Sequence, residues 1–261
     1  MSGATLLLDI GNSAAKWMCV GALGTLRVGR VDTDSLIDEL GDDLVGATVL
    51  VSSVAAPYKQ KALSVQLSGL SKSVWFAVSR VSLDGLVNSY EDAERMGVDR
   101  WLAMLAARQR VRGRVCVVDA GSALTVDLVA ADGCHEGGYI IPGMALMERA
   151  LFADTGRVRD SAPANASLAP GRSTAEAVSH GLLLAQAGAV HLAMSVAEAQ
   201  GERPQLLLCG GGSTQLAKVL NLAYDKAPTL VFEGLLRQAE LEAPGLLNYP
   251  QVSSALFTQS D

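Results

Sequence analysis

The chain has 261 residues, 49% of them apolar, and its 21 lysines and arginines face 27 aspartates and glutamates for a formal net charge of −6. That composition builds a sizeable core and excludes intrinsic disorder, whose signature is low hydrophobicity with high net charge. At roughly 150 residues per domain the length suits one large domain or two modest ones. An isoelectric point near 5.1 argues against nucleic acid as the main partner, because phosphate backbones call for a basic footprint.

In chain order, the N-terminus lacks a basic leader and its apolar run is too short for a signal peptide. Thr5–Ile10, Lys16–Val20 and Thr25–Val31 read as three strands separated by Gly-Asn-Ser and Gly-Ala-Leu-Gly turns. A helix follows Asp34 through Leu36, Ile37, Leu40 and Leu44. Thr48–Val54 is a buried strand, Pro57 opens a helix to Leu70, and Ser73–Val78 is a further strand. A polar stretch leads to a helix over Arg100–Val111. The order βββ-α-β-α-β-α then recurs. Arg114–Asp119, Leu124–Ala130 and Cys134–Ile141 are strands, the last two joined by Asp132-Gly133, and a helix follows Pro142-Gly143. Thr174–Gln200 is a long helix, Gln205–Cys209 a strand, Thr214–Leu220 a helix, Thr229–Phe232 a short strand and Leu235–Glu242 a last helix. The chain therefore reads as an internal duplication, with domains over residues 1–112 and 113–261.

No stretch reaches the ~18 uninterrupted apolar residues of a membrane span. Ala175–Ala199 is broken by His180, Gln186, His191 and Glu198 and reads as a buried helix, with both histidines at core or interface positions. Cys19, Cys116, Cys134 and Cys209 are scattered without a CxxC pair, which suits reduced thiols in the cytoplasm and no zinc site. Ala153–Arg172, irregular over ~20 residues, is longer than most loops in compact domains. It is either functional or a flexible connection.

Two turns carry the chemistry. Asp9-Ile10-Gly11-Asn12-Ser13-Ala14-Ala15-Lys16 ends a strand on an aspartate, turns at a glycine, and offers short donors and a lysine. Such a turn cradles phosphate through backbone N–H groups, provided a cation meets the aspartate. Alone it is equally an ordinary hairpin turn. Asp119-Ala120-Gly121-Ser122 repeats the pattern, with further hydroxyls from Thr125. Duplicated turns of this kind are expected to face one another across a cleft with a phosphate chain and a cation between them. Cys209-Gly210-Gly211-Gly212-Ser213 and Gly137–Gly143 are glycine-rich elements that admit a flat group, shape the cleft wall or simply turn the chain. In Gly97-Val98-Asp99-Arg100-Trp101, Asp99 is either a helix-start acid or a base that takes the proton of an attacking hydroxyl, with Arg100 gripping an anionic group. Tyr90 is a contact to the same substrate or a half-buried surface aromatic, and Thr174 a helix cap, a substrate hydroxyl, or both. The GxxxxGK[ST], GxSxG and HExxH motifs are absent.

The motifs DIGNSAAKW (Asp9–Trp17), SSVAAP (Ser52–Pro57), GVDRW (Gly97–Trp101), DAGSALTVD (Asp119–Asp127), GGYIIPGM (Gly137–Met144), STAEAVSHG (Ser173–Gly181) and CGGGS (Cys209–Ser213) occur in this order across most of the chain. The set resembles the type III pantothenate kinases of the actin-like superfamily that includes acetate and sugar kinases. The resemblance implies an α/β fold of duplicated RNase H-like (actin-like ATPase) βββαβαβα domains with an interdomain cleft. It implies ATP-dependent phosphorylation of the 4′-hydroxyl of pantothenate, the first step of coenzyme A biosynthesis, by a homodimer; the composition adds a cytoplasmic location without nucleic acid or membrane partners. Asp9, Ile10, Gly11, Asn12, Ser13, Ala14, Ala15, Lys16 and Ser122 would bind ATP, which brings Mg2+. Tyr90, Gly97, Val98, Asp99, Arg100 and Thr174 would bind pantothenate, with Asp99 as base. Asp119 would hold a monovalent cation, K+ or NH4+. Three departures stand out. Ser122 replaces a threonine common in the family, Glu91–Met96 lacks a proline often found there, and Ala153–Arg172 matches weakly. The alternatives are a regulatory paralogue, an accessory factor for transcription without kinase activity, and another superfamily enzyme such as a sugar kinase or phosphatase.

Overall fold

The computed structural model describes residues 4–12, 14–21, 25–154 and 167–247. Ser13 and most of the predicted 153–172 loop lie outside them. The chain divides into two compact units, Met1–Ala106 with Thr229–Asp261, and Ala107–Pro228.

In the first unit β1 (Thr5–Ile10), β2 (Ala14–Val20) and β3 (Leu26–Asp32) form an antiparallel meander. α1 (Leu36–Leu44) leads to β4 (Thr48–Ser53), and α2 (Pro57–Leu70) leads to β5 (Ser73–Phe76), so β1, β4 and β5 run parallel. The sheet order is β3-β2-β1-β4-β5. Leu36, Leu40 and Leu44 recur every four residues on one face of α1 and pack with Leu67 of α2 on Leu6, Leu8, Ile10, Val49 and Val51. Asp32 starts this region by accepting from the Asp34 N–H, and Pro57 sits in the first turn of α2, where no N–H is needed.

A two-strand hairpin follows, β6 (Ser82–Leu83) and β7 (Leu86–Val87). Its turn residues Asp84 and Gly85 both have positive φ, 50° and 79°, as a tight right-twisting hairpin requires. The sequence pattern treated this segment only as a polar stretch. A 3-10 turn, Ala93–Arg95, precedes α3 (Val98–Arg110).

The second unit repeats the plan. β8 (Val115–Ala120), β9 (Ala123–Val129) and β10 (His135–Pro142) form the meander, followed by α4 (Met144–Asp154) and α5 (Thr174–Gln200). β11 (Gln205–Cys209), α6 (Ser213–Ala217) and β12 (Asp225–Lys226) complete a sheet of order β10-β9-β8-β11-β12. Both units thus carry the RNase H-like order, and the duplication read in the sequence is structural. Leu183, Ala187, Val190, Met194 and Ala197 of α5 pack on Cys116, Val118, Leu206 and Leu208. This packing accounts for one apolar face of α5, a helix that by length and hydropathy alone would suffice to cross a membrane. Arg114 donates to the Ala197 carbonyl at 2.6 Å and the Glu202 carbonyl at 3.0 Å, so a cation meets the C-terminal end of α5.

Two expectations are corrected. Thr229–Phe232 is not a strand: α7 spans Leu230–Glu242, and the sheet ends instead on Asp225–Lys226. α7 buries Leu230, Val231, Phe232, Leu235, Leu236 and Ala239, so its first turn is apolar on every side and its helical period is masked. The expected second domain of residues 113–261 is also cut short, since the chain from Thr229 belongs to the first unit. The reason is burial. Strand alternation turns Leu7 and Leu50 away from α1 and α2, both are fully buried, and α7 packs on β1 and β4 to cover that face. The Thr48 hydroxyl donates to the Leu246 carbonyl at 3.4 Å behind it.

α7 also crosses α3 so closely that a Cβ on Gly234 would overlap the Leu102 backbone. Gly234→Ala is expected to destabilise the protein by ~1–3 kcal/mol through overpacking. Gly41→Ala, on α1 with no atom within 4 Å of the new methyl, is expected to stabilise it by ~0.5–1 kcal/mol. Denaturant melts of the two variants read both signs.

Candidate active site

β1 and β8 have the same burial profile, four buried residues, a half-buried aspartate and a buried last residue. In the first unit the register sets Asp9 opposite Lys16 on β2 and Ser52 on β4. The Lys16 ammonium lies 3.7 Å from Asp9 Oδ2, and the Ser52 hydroxyl donates to Oδ1 at 3.2 Å. The positive charge that the sequence demanded beside Asp9 is therefore supplied by the hairpin itself. The turn closes with Gly11 N–H donating to the Ala14 carbonyl at 3.0 Å, while Thr33 Oγ1 donates to the Gly11 carbonyl at 3.2 Å. Asn12 is exposed; Ile10 and Ala15 are buried, so only their backbone faces the turn. In the sequence Ser52 is only part of a motif, and its contact with Asp9 follows from the parallel register.

In the second unit Asp119 stands opposite Thr125 and Cys209. Three glycine N–H groups bond the carbonyls of the residues that follow it. Gly121 N–H donates to the Ala123 carbonyl at 2.9 Å, Gly143 to Ser122 at 3.0 Å, and Gly212 to Ala120 at 2.8 Å. A Cβ on Gly121 would lie 3.1 Å from Asp119 Oδ1. At Gly210, where φ is +87°, a Cβ would overlap that same oxygen and the Ala120 backbone. Without side chains, the Gly121 and Gly210 backbones approach one buried carboxylate oxygen more closely than any other residue could. The surrounding donors are carboxylate and carbonyl oxygens, the set that suits a hard cation. Among the described residues no three His, Cys, Asp or Glu side chains gather as a metal cluster. Ser122 is exposed on its turn.

A third group forms at the start of α3. Asp99 lies in the first turn, and its Oδ1 accepts from the Arg100 N–H at 2.8 Å. A Cβ on Gly97 would come within 2.6 Å of the same oxygen, so glycine leaves the carboxylate room. The Arg100 side chain is buried, and Nη1 donates to the Tyr90 hydroxyl at 2.8 Å, with the guanidinium carbon 5.6 Å from the ring centroid. Tyr90, Gly97, Asp99 and Arg100 are therefore one cluster, while the Val98 side chain is in the core. Thr174 is the first residue of α5 and exposed, but it is not the cap. Ser173 accepts from the Glu176 N–H at 3.2 Å, and Glu176 Oε2 accepts from the Arg172 N–H at 2.7 Å. His180 and His191 are half-buried, and His180 Nδ1 lies 2.7 Å from the Ala169 carbonyl.

Burial pushes the Cys116 thiol up to about 12, and Cys19 and Cys209 are also buried, leaving Cys134 exposed. Thiol reagents attack the thiolate, so the native protein at pH 8 is expected to show one reactive thiol, with all four reacting after unfolding. Two or more fast native thiols would contradict this. A second expectation concerns the cradle. Gly210→Ala forces a side chain into a left-handed position against Asp119, and both melting temperature and activity are expected to fall.

The family model of the type III pantothenate kinases matches residues 5–195. A type III pantothenate kinase of Thiobacillus denitrificans is 37% identical over 248 residues, covering 94% of this chain and all of that protein. One from Pseudomonas aeruginosa is 40% identical over 248 residues, covering 91% and 99%. Among solved structures, a candidate Baf family transcriptional activator from Campylobacter jejuni superposes with a TM-score of 0.59 at 21% identity, covering 92% of this chain and 99% of that one. A candidate 2-dehydro-3-deoxygalactonokinase from Sinorhizobium meliloti gives 0.56 at 13% identity, with coverage of 92% and 99%. These two speak to the fold alone, whereas the length and level of the sequence matches show that the chain belongs to the type III pantothenate kinase family.

Proposed function

We propose that this kinase transfers the γ-phosphoryl group of ATP to the 4′-hydroxyl of pantothenate in the cytoplasm, as the first step towards coenzyme A. The observation that carries the reading is the cluster at the head of α3, where an aspartate, a buried arginine and a tyrosine hydroxyl share one short segment. Asp99 accepts the proton of the attacking hydroxyl. The new bond joins that oxygen to the γ-phosphorus, the bond to the β,γ-bridging oxygen breaks, and ADP leaves. In such transfers the protein mainly positions groups and balances charge. Arg100 and Tyr90 orient pantothenate with the Gly97 and Val98 backbone, and Thr174 adds an exposed hydroxyl.

The Asp9–Lys16 turn takes the phosphates of ATP through backbone N–H groups, Asn12, Ser13 and the Lys16 charge contribute to the same binding, and Ser122 is a further ATP-binding residue. Mg2+ arrives with the nucleotide. Asp119 would hold the monovalent cation, K+ or NH4+, which supplies fixed positive charge for the transfer. The homodimer is supported by α5, where Leu184 and Leu192 are exposed alongside Ala185 and Gly188. An apolar helix face of that kind is ordinarily covered by a partner.

The test is ADP release in a coupled assay with ATP and Mg2+, with and without pantothenate, in K+ and in Na+. Release is expected only with pantothenate and K+. Release without pantothenate would point to a phosphatase-like activity. No release from folded protein would overturn the reading and favour a regulatory role.

A further inference from the structure

Tyr90 meets Arg100 of α3 through its hydroxyl and ring, but its backbone lies between the β6–β7 hairpin and the 3-10 turn at Ala93–Arg95. What fixes it is Asn88, a buried side chain that uses both ends of its amide. Asn88 Nδ2 donates to the Arg80 carbonyl at 3.2 Å and to the Ala93 carbonyl at 3.3 Å. Its Oδ1 accepts from the Tyr90 N–H at 3.0 Å, and its own N–H donates to the Val81 carbonyl at 2.9 Å. One residue thereby ties the chain before the hairpin to the chain after it, with Tyr90 held in between. Both ends of the tie are anchored in turn. Arg80 forms a two-pronged pair with Glu242 of α7 at 2.8 and 3.1 Å. The Ser79 hydroxyl donates to the Met96 carbonyl at 2.9 Å, one residue before Gly97.

We propose that Asn88 is a positioning residue for the phosphoryl acceptor. By holding the Tyr90 backbone it sets where the phenol hydroxyl meets Arg100 Nη1, and so fixes the side of the site that orients pantothenate. The proposal rests on the role given above to Tyr90 and Arg100. The direction of influence is clear from the chemistry of the pair. The Arg100 side chain starts from a helix and is already buried, while Tyr90 comes from a loop and is partly exposed. Losing the amide leaves two carbonyls and one N–H without their partner, and buried polar groups left in that state relax toward other partners. The part that moves is the loop. ATP, in this account, is bound by other segments, so the two substrates should respond differently.

The experiment compares Asn88→Ala, Tyr90→Phe and the double variant in the coupled assay, with separate KM values for pantothenate and ATP and a thermal melt of each protein. Asn88→Ala is expected to raise the pantothenate KM by roughly tenfold, the scale of one or two lost buried hydrogen bonds, and to leave the ATP KM unchanged. In the Tyr90→Phe background the effect of Asn88→Ala is expected to shrink, because both changes act on the same hydroxyl. An equal rise in both KM values, or a pantothenate KM that stays at the wild-type level while Tyr90→Phe raises it, would overturn the proposal and leave the Tyr90 assignment standing. A Tyr90→Phe variant with unchanged pantothenate KM would overturn that assignment, and the proposal with it. Should Asn88→Ala fail to fold, Asn88→Ser carries the test. Its short hydroxyl cannot span both carbonyls and holds the Tyr90 N–H more weakly, so a smaller but still pantothenate-selective rise in KM is expected.

Discussion

A strand buried on both faces gains most of its stability from apolar contact, and a carboxylate near its end is costly unless a partner meets the charge. This chain accepts that constraint at the same place in each half. Asp9 and Asp119 both occupy the single half-buried position of an otherwise buried central strand. The first is met by Lys16 and Ser52, residues that its sheet neighbours present in register. The second lies against Gly121 and Gly210, whose backbones approach one of its oxygens too closely for a side chain at either position. Much else follows from keeping those strand ends in place. The parallel strands β4 and β11 must sit beside them, and the helices must cover both faces so that the strands can be apolar throughout.

The covering of the first sheet explains the chain's path. α7 returns to the first unit because β1 and β4 have a second apolar face. In doing so it touches the segment that carries the Tyr90, Asp99 and Arg100 cluster. Gly234 allows α7 to approach the Leu102 backbone, and Gln238 accepts from the Trp101 indole at 3.2 Å while donating to the Val78 carbonyl at 2.9 Å. Trp101 follows Asp99 and Arg100 in α3, so the packing of a C-terminal helix and the geometry of the cluster are mechanically joined. Stability and site geometry are therefore expected to respond together to changes on this face of α7.

Most of the architecture is legible from local signals. α2, α5 and β11 begin and end where proline, the polar start of the helix, and turn residues place them. The repeated strand-Asp-x-Gly pattern identifies both turns before any packing is known. Two things are hidden, for different reasons, and a third is encoded in a side-chain spacing. The first turn of α7 looks like a strand because burial on every side removes the helical period. The cap of α5 is Ser173 and not Thr174, a choice that the Ser173–Glu176 spacing does encode. The importance of Asn88 and Ser52 is tertiary. It depends on carbonyls and carboxylates brought from distant positions, and nothing in the flanking residues marks it. The Asp84-Gly85 hairpin, by contrast, carries its own turn signal.

The account stands on Asp99 taking a proton from the acceptor hydroxyl. The most direct measurement is the turnover of Asp99→Asn, taken with calorimetric binding of pantothenate and a thermal melt of the same protein. A fall in kcat of ~10²–10⁴ with the melt unchanged and pantothenate still bound is the predicted result. Wild-type turnover in that variant would contradict the assignment of the base.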